Sequence, residues 1–414
     1  MNRQTDPGES RLQRGIATVL AVLFMCALFA ALFIGIGSDP GGILESLRTY
    51  HARGYLRGSA QDPFAMAQAR ILSLDNHLSG SLPLSNELGE LNASFQFALG
   101  KNTVISGSES MLRLSNGQLY YIAKEKDLSK RAEEVIAFRD WLDGRVPFLF
   151  VYVHPGFFNG GLQLPEGYAD IDRGDEMADE LLAALREAGV DTMDSRTFFE
   201  DTGLTNDDLE YRTDRHWNCL AGLLATRRFA EAINERTGAS LDLARLDLSR
   251  FELKTAPWPF LGSYGEKIGR NAKTETVGIY LPAYDTDLSR HTHERSGEYT
   301  DRTGPFEESV FRADLFNSQT NGVSNNSGAA LGVTDGLEEL VNRGDCEDLT
   351  ILIVRDSFSS PICSYLSLTA RRVVSIDTRW DDLTARQVFE MYEPDIVIVS
   401  LSRLMMENSE LRLM

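Results

Sequence analysis

The chain has 414 residues, of which 43% are hydrophobic and 25% are charged, proportions typical of a folded globular protein. This composition excludes a disordered, collagen-like or coiled-coil chain, and a mean hydropathy of -0.22 excludes a protein with many membrane spans. With 61 acidic residues against 41 Lys and Arg, the formal net charge is -20. Nucleic acid is therefore not an expected partner, because binding to its phosphates depends on clustered basic side chains.

The N-terminal region predicts a membrane anchor. Residues 15–37 contain no charged side chain, and about 20 apolar residues suffice to cross the hydrocarbon core of a bilayer. Arginines lie in the preceding tail, residues 1–14, whereas residues 38–44 have no Lys or Arg. The excess of positive charge on the cytoplasmic side places the tail inside and everything after Ser38 outside the cell membrane. The alternative is a cleaved signal peptide, whose apolar core is usually shorter.

Residues 38–99 follow as a membrane-proximal segment, either a linker or a small cap. From about residue 100 the pattern becomes regular, and the first block predicts the helix Leu128–Leu142, the strand Pro147–Val153, the helix Asp175–Ala188, the strand Val190–Met193 and the helix Cys219–Asn234 with Asn218 as its N-cap. The second block predicts the strand Leu349–Arg355, a helix from Pro361, the strand Arg372–Ile376, the helix Thr384–Tyr392 and the strand Asp395–Leu401.

Apolar strands that alternate with helices are typical of a parallel sheet covered on both faces. Residues 100–414 are therefore predicted to form one α/β domain with a doubly wound parallel sheet. Residues 239–345 lie between the two blocks and are rich in Gly, Pro, Ser, Thr and Asn. We expect this segment to be a loop-rich insertion that shapes the site, with one strand within residues 276–284.

Two segments carry the chemistry expected at the carboxyl ends of the strands, where open α/β sheets bind ligands. Ser357 directly follows a predicted strand and precedes a helix whose first amides can stabilise an oxyanion. The G-x-S-x-G motif of ordinary lipases is absent. Asp214 and His216 lie two residues apart in a loop before another helix, so both are expected to project to the same side. The carboxylate can then bind Nδ1 and leave Nε2 free as the base that a serine nucleophile needs.

Each of these residues also has a purely structural interpretation. Ser357 can serve as a helix N-cap. Asp214 can cap a turn beside a structural His-Trp pair. His154, which follows the strand Pro147–Val153, either lines the same sheet edge or is held by local hydrogen bonds.

Metal binding and disulfide formation receive little support from the sequence. His291 and His293 have the spacing of a metal pair on a strand, but no third ligand is evident, and we interpret them as surface residues. Cys219, Cys346 and Cys363 show no close-pair metal spacing, although one disulfide is possible. No metal or cofactor is predicted.

Two sequence strings carry a resemblance to a known family. R-T-D-R-H-W-N at residues 212–218 and, later, L-T-I-L-I-V-R-D-S-F-S-S-P before a D-I-V-I-V-S strand resemble the SGNH-hydrolase-like domain of alginate O-acetyltransferases of the AlgX/AlgJ type. They are still more similar to the related DHHW family. The likeness extends from about residue 100 to the C-terminus and includes G-S-Y-G-E-K-I-G-R-N at residues 262–271. One departure is Arg215, where DHHW members have a second His.

The resemblance implies roles for the residues that match. Asp, His and Ser occur in the family's chain order as Asp214, His216 and Ser357. Ser357 would attack an acetyl group, His216 would transfer the proton, and Asp214 would orient and stabilise the imidazolium. Weaker candidates for the oxyanion or substrate contacts are Gly262, Tyr264, Asn271, Trp217 and His154.

We therefore expect a single-pass, outward-facing O-acetyltransferase that acetylates hydroxyls of a cell-surface or exported polysaccharide through an acetyl-serine intermediate. Since the extracytoplasmic space lacks acetyl-CoA, the resemblance implies a membrane-bound O-acyltransferase as the acetyl donor. The negative charge favours a neutral or cationic glycan over a polyuronate. Two alternatives stay open: an acetylesterase with the same three residues, and a non-catalytic protein that binds glycan or assembles a complex.

Overall fold

The computed structural model describes residues 85–106, 109–156, 164–168, 170–294, 299–324, 326–332, 336–379, 382–408 and 410–414. The chain divides into two units, residues 1–91 and 92–414, and only residues 85–91 of the first are described. Across the described ranges, the helices all fall short of the length and apolar character that a membrane crossing requires. The span predicted at residues 15–37 lies outside the described residues, so the span and the domain boundaries stay predictions.

The helices and strands follow one another in close agreement with the two predicted blocks. The strands are β1 Thr103–Ser106, β2 Glu109–Arg113, β3 Leu119–Tyr121, β4 Phe148–Val153, β5 Thr192–Asp194, β6 Phe251–Thr255, β7 Gly278–Pro282, β8 Leu288–Glu294, β9 Tyr299–Gly304, β10 Gly336–Asn342, β11 Glu347–Arg355, β12 Ala370–Ile376 and β13 Ile396–Ser402. The helices are α1 Ser85–Ala98, α2 Ser129–Leu142, α3 Gly174–Glu187, α4 Asn206–Leu209, α5 Cys219–Thr237, α6 Phe306–Ser309, α7 Ala313–Phe316, α8 Ser360–Leu366, α9 Ala385–Tyr392 and α10 Arg403–Asn408.

The predicted helix boundaries agree with their capping chemistry. Asn218 caps α5 as predicted, because its side chain accepts a hydrogen bond from the amide of Ala221. The same helix continues three residues past its predicted end, to Thr237, and stops at Gly238, whose φ of 74° is the left-handed conformation that favours glycine. Thr384 caps α9 through a capping box with Gln387.

An eight-stranded sheet forms the centre of the second unit, in the order β5-β4-β13-β11-β12-β10-β8-β9. The first five of these strands are parallel to one another. Alternate residues of the parallel strands enter two separate cores: on β11, Ile351 and Ile353 face one core, whereas Leu352 and Val354 face the other. Helices α5 and α8 cover the first face, and α2, α3 and α9 cover the second. This burial on both faces explains why the strands are continuously apolar.

The prediction of a wholly parallel sheet is wrong at one side. Strands β10, β8 and β9 join it antiparallel, which makes the sheet mixed. All three strands lie within residues 239–345, and the same segment forms the antiparallel pair of β6 and β7. The expectation that this segment consists of loops with one strand is therefore wrong, because it contains five strands among the described residues. Strand β9 reads Y-T-D-R-T-G, and its side chains alternate between exposed and half-buried. Without an apolar run, an edge strand of this kind gives no signal in the sequence.

A buried ion cluster joins the antiparallel strands to the parallel ones. The carboxylate of Glu338 on β10 accepts a hydrogen bond from Arg290 Nε on β8 at 2.7 Å, and the guanidinium of Arg355 on β11 lies 3.8 Å away on its other side. The Ser375 hydroxyl donates to the same carboxylate at 3.4 Å. All three charged side chains are at most 2% exposed. Removing the Glu338 carboxylate would take a buried anion away from two buried cations, which is costly.

Glu338→Ala is expected to lower the free energy of unfolding by about 3–5 kcal/mol, the usual cost of breaking a buried pair. Urea denaturation followed by circular dichroism measures this change. The matched control is Glu339→Ala on the opposite face of β10, whose partner Arg372 is 40% exposed; this variant should lose at most about 1 kcal/mol. Equal losses in the two variants would contradict the assignment.

Candidate active site

Asp214 and His216 lie in a tight loop between α4 and α5. The loop is closed at its base by an antiparallel bridge between Glu210 and Trp217 and by a hydrogen bond from the amide of Asn218 to the carbonyl of Leu209, at 2.8 Å. The carboxylate of Glu275 accepts from the amides of residues 212 and 213, each at 3.0 Å. The loop is thereby fixed at both its base and its side.

The Asp214 carboxylate is held by three N–H donors. Oδ1 accepts from the backbone amide of His216 at 3.0 Å and from its Nδ1 at 2.5 Å, as the two-residue spacing predicted. Oδ2 accepts from the amide of Ser263 at 2.8 Å. The bond from the His216 amide is the turn-capping contact of the structural interpretation, and the bond from Nδ1 is the contact that an imidazole acting as a base requires, so Asp214 makes both.

These contacts set the protonation state of Asp214. Burial by itself disfavours the charged carboxylate, but the neighbouring His216 and the hydrogen bonds from its ring and from the amides of Ser263 and His216 outweigh that cost. The pKa of the Asp214 carboxyl is held well below its usual range. The group is thus an anion at neutral pH and can stabilise a positive charge on the imidazole.

Ser357 lies directly beyond the carboxyl end of β11, at the start of a short 3-10 turn that leads into α8. The residue that caps this turn is Asp356, because its Oδ1 accepts from the amide of Phe358 at 3.1 Å. Its Oδ2 accepts from the amide of Ser402 at the end of β13, at 2.8 Å. Asp356 therefore ties the turn to the central sheet and leaves the Ser357 hydroxyl without a capping role.

The structure brings Asp214, His216 and Ser357 together. His216 Nε2 lies 2.7 Å from Ser357 Oγ, while Nδ1 of the same ring contacts Asp214. A second bond runs alongside, since Trp217 Nε1 donates to the carbonyl oxygen of Phe358 at 2.8 Å. The two loops are therefore joined at two consecutive residues on each side.

Two of the first amides of the turn have partners within the turn. The Phe358 amide donates to Asp356 Oδ1, and the Ser359 amide donates to the Asp356 carbonyl at 3.2 Å. The stabilisation of an oxyanion by the first amides therefore stays a prediction.

Next to the Ser357 hydroxyl is a pocket with a volume of about 160 Å³. Its walls come from the loop that carries His216, from α8, from β7 and from residues 328–331 of the segment predicted as an insertion. That segment therefore does help to shape the site, as expected. Trp217, a weak candidate, lines this pocket as well.

The other weak candidates have structural partners. Gly262 packs against Asp214: a Cβ at this position would lie 2.4 Å from the Asp214 Cβ, and its amide donates to Thr213 Oγ1 at 3.0 Å. Asn271 accepts from Ser94 and donates to the Ile268 carbonyl. Tyr264 is buried in a small core with Ile268, and the Arg215 guanidinium lies 5.5 Å from the centre of its ring. None of these three residues lines the pocket beside Ser357.

His154 also lies apart from this pocket. The backbone amide of His154 donates to Ser195 Oγ at 2.8 Å. Its ring lies 3.4 Å from the Tyr152 hydroxyl and 3.7 Å from the Asp175 carboxylate. Burial, reinforced by the cations Arg403 and Arg196, lowers the pKa of His154 to about 3. The local hydrogen bonds favour the structural interpretation of this residue.

The histidine pair and the three cysteines singled out in the sequence have other surroundings than a metal site or a disulfide. Among the described residues, no group of three or more His, Cys, Asp or Glu side chains is placed to hold a metal ion. His291 pairs with Asp301 across β8 and β9 at 2.8 Å. Cys219, Cys346 and Cys363 are all free thiols.

Sequence reasoning missed the residues that support the site. The carboxylates of Asp356 and Glu275 accept from backbone amides, and the backbone amide of Ser263 donates to Asp214. Neither kind of contact has a distinctive sequence pattern. The close approach of Gly262 was signalled only by the G-S-Y-G string. Ser360 lines the pocket and lies within the string L-T-I-L-I-V-R-D-S-F-S-S-P, and Tyr211, which also lines it, directly precedes R-T-D-R-H-W-N, but the sequence analysis gave neither residue a role.

One family model matches the chain: residues 163–300 match the family described as SGNH hydrolase-like domain, acetyltransferase AlgX. This range includes Asp214 and His216 and ends before Ser357. No curated protein matches the sequence.

Solved structures share the fold over most of their length. A DHHW family protein from Eubacterium siraeum aligns with a TM-score of 0.55 at 18% identity, over 75% of this chain and 95% of that chain. Bacillus cereus PatB1 with a sulfonyl adduct aligns with a TM-score of 0.59 at 16% identity, over 74% of this chain and 99% of that chain. The resemblance to the AlgX-type SGNH-like domain and to the DHHW family, predicted from the motifs, is confirmed.

Gly262→Ala is expected to displace Asp214, because the new Cβ would also lie 2.8 Å from the Asp214 Cα, a backbone atom that cannot yield without moving the loop. Hydrolysis of an activated acetyl ester should fall on the order of a hundredfold, the usual consequence of an ångström-scale misplacement. Gly174→Ala at the start of α3 is the control, because the atom nearest its new Cβ outside the adjacent residues would be Arg403 Nη1, 3.2 Å away, at the end of a side chain rather than in the backbone. An unchanged rate in Gly262→Ala would show that the contact with Asp214 is not needed.

His154 makes the stability of the fold depend on pH. In the unfolded chain the imidazole takes up a proton near pH 6.5, whereas in the folded protein its pKa is about 3. The stabilisation is complete above pH 6.5 and is lost as the pH falls towards 3, by up to about 1.4 kcal/mol per pH unit. His154→Leu should reduce this slope in urea denaturation curves between pH 6.5 and 4, and an identical slope would contradict the assignment.

Proposed function

We propose that the protein is an O-acetyltransferase that uses Ser357 as nucleophile, His216 as general base and acid, and Asp214 as the anion that orients the imidazole. The observation that carries the proposal is the pair of contacts made by one ring, 2.7 Å to the Ser357 hydroxyl and 2.5 Å to Asp214. The match of residues 163–300 to an acetyltransferase domain supports the reaction class.

The geometry supports a two-step transfer. In the first step, the Ser357 proton moves to His216 Nε2 while the oxygen attacks the acetyl carbonyl, and the bond to the donor's leaving group breaks with return of that proton. Asp214 remains ionised throughout because its pKa is held low, so it can stabilise the imidazolium. In the second step, a sugar hydroxyl gives its proton to His216 and attacks the acetyl carbon of the serine ester. The bond from Ser357 Oγ to that carbon breaks, and His216 returns the proton to Ser357 Oγ.

The setting proposed for this reaction follows from the sequence. Residues 15–37 would anchor the chain in the cell membrane with the catalytic domain outside, near a membrane-bound O-acyltransferase that supplies acetyl groups. The acceptor would be a cell-surface or exported polysaccharide. A net charge of -20 favours a neutral or cationic glycan.

The test uses the full-length protein and an activated acetyl ester, with and without oligosaccharide acceptors. We expect an acetyl adduct on the wild-type protein in the intact mass, no adduct on Ser357→Ala, and a loss of ester turnover of a thousandfold or more in that variant. The control is Ser364→Ala, which removes a buried hydroxyl of α8 that has no hydrogen-bond partner among the residues the structure describes and does not line the pocket.

The outcomes separate the alternatives. Acetylated sugar in the presence of acceptor supports a transferase, whereas free acetate alone indicates an acetylesterase with the same residues. Failure of the wild-type protein to form any adduct would contradict both and favour a non-catalytic glycan-binding or assembly protein.

A further inference from the structure

The pocket beside Ser357 extends from a polar mouth into the apolar core. His216, whose side chain is 30% exposed, lines the mouth together with Ser357. The remaining wall includes side chains of the main core that are at most 3% exposed, namely Phe260, Ile279, Leu331 and Phe358. The pocket thus continues past the reacting hydroxyl into a hydrophobic space.

This wall suits the acyl group rather than the sugar. A sugar ring carries hydroxyls on every side, and burying them against carbon would leave them without hydrogen bonds. A hydrocarbon chain loses nothing in such surroundings and gains from leaving water. Of the two groups that meet at Ser357, the acyl chain is therefore the one that suits the apolar side chains of the buried part.

The size of the pocket exceeds what an acetyl group fills. Its volume is about 160 Å³, and an apolar cavity of about 150 Å³ in another protein holds benzene, a ring of six carbons. An acetyl group brings one methyl and one carbonyl carbon. Part of the apolar wall would remain uncovered with acetyl bound, and this part has room for further methylene groups.

Two hydroxyls in the wall also point to a ligand. Within the described part of the chain, the completely buried Ser360 hydroxyl has no hydrogen-bond partner, and the Tyr211 hydroxyl proton, on a residue that is 5% exposed, has no acceptor. Buried hydroxyl groups are normally satisfied. The oxygen of an acyl carbonyl is the kind of acceptor that both donors lack.

We propose that this pocket is an acyl-chain site that takes acyl groups longer than acetyl, of about four to six carbons, and transfers them through Ser357. This inference rests on the proposed function, because it uses the same serine and the same transfer. The bond from Ser357 Oγ to the acyl carbon forms as the bond from that carbon to the donor oxygen breaks, and the serine proton passes through His216 to that oxygen.

The first experiment measures acylation of the full-length protein by the p-nitrophenyl esters of acetate, propionate, butyrate and hexanoate. Burial of each additional methylene group contributes a factor of about four. We therefore expect kcat/KM for the butyrate ester to exceed that for the acetate ester by roughly tenfold, with the matching acyl adduct on Ser357 in the intact mass.

A variant that fills the pocket tests the location. Ala329 lines the pocket at the end of a 3-10 turn, and Ala329→Leu would place three more carbons in the space assigned to the chain. The ratio of kcat/KM for butyrate to that for acetate should fall about tenfold. The matched control is Ala188→Leu at the end of α3, which does not line the pocket and should leave the ratio unchanged. If Ala329→Leu does not fold, the chain-length series on the wild-type protein decides alone.

The outcomes distinguish this inference from the proposed function. Acetylation of Ser357 that is as fast as or faster than butyrylation overturns the acyl-chain site and leaves the acetyltransferase standing. A butyrate preference that persists unchanged in a folded Ala329→Leu variant also overturns it. Failure of every ester to acylate Ser357 overturns both.

Discussion

The burial of one carboxylate organises the candidate site. Asp214 lies inside the protein, where an isolated charge would be costly, and it is tolerated because three N–H groups point at its two oxygens. Two of these donors belong to His216, so the contacts that stabilise the anion also fix the ring. The position of His216 Nε2 relative to Ser357 is therefore a consequence of how Asp214 is satisfied. Gly262 belongs to the same constraint, since any larger residue would enter the space of the carboxylate.

The central sheet supplies the other half of the arrangement. Parallel strands end at the same edge, and β11 delivers Ser357 there while β13 ends beside it. Asp356 joins the two ends by accepting hydrogen bonds from the Phe358 and Ser402 amides. The bond from Trp217 to the Phe358 carbonyl then connects the histidine loop to the serine turn. Both reacting groups are thus attached to rigid elements, which is the condition for a preorganised site.

The polar mouth and the apolar interior of the pocket suit different chemical groups. In the proposed transfer, the exposed face of His216 would leave room for a hydrophilic acceptor to approach from solvent, and the core residues behind Ser357 would exclude water from the acyl group. An ester formed on a serine in such surroundings would be sheltered from hydrolysis until a hydroxyl enters at the mouth. The difference between a transferase and an esterase would then lie in what reaches the mouth rather than in the three polar residues.

The sequence by itself determined the local elements and singled out the candidate catalytic residues. Apolar runs such as residues 349–355, the cap at Asn218 and the two-residue spacing of Asp214 and His216 are short-range patterns, and short-range patterns are set by backbone geometry and burial. Tertiary structure decided everything that depends on residues far apart along the chain: the 2.7 Å contact between His216 and Ser357 across 141 positions, the antiparallel addition of β8, β9 and β10, and the pocket wall. It also placed Gly262, Tyr264, Asn271 and His154 outside the pocket wall, where each contacts other residues of the fold. No local pattern encodes these outcomes, since each is fixed only when distant side chains compete for the same hydrogen bonds and the same buried space.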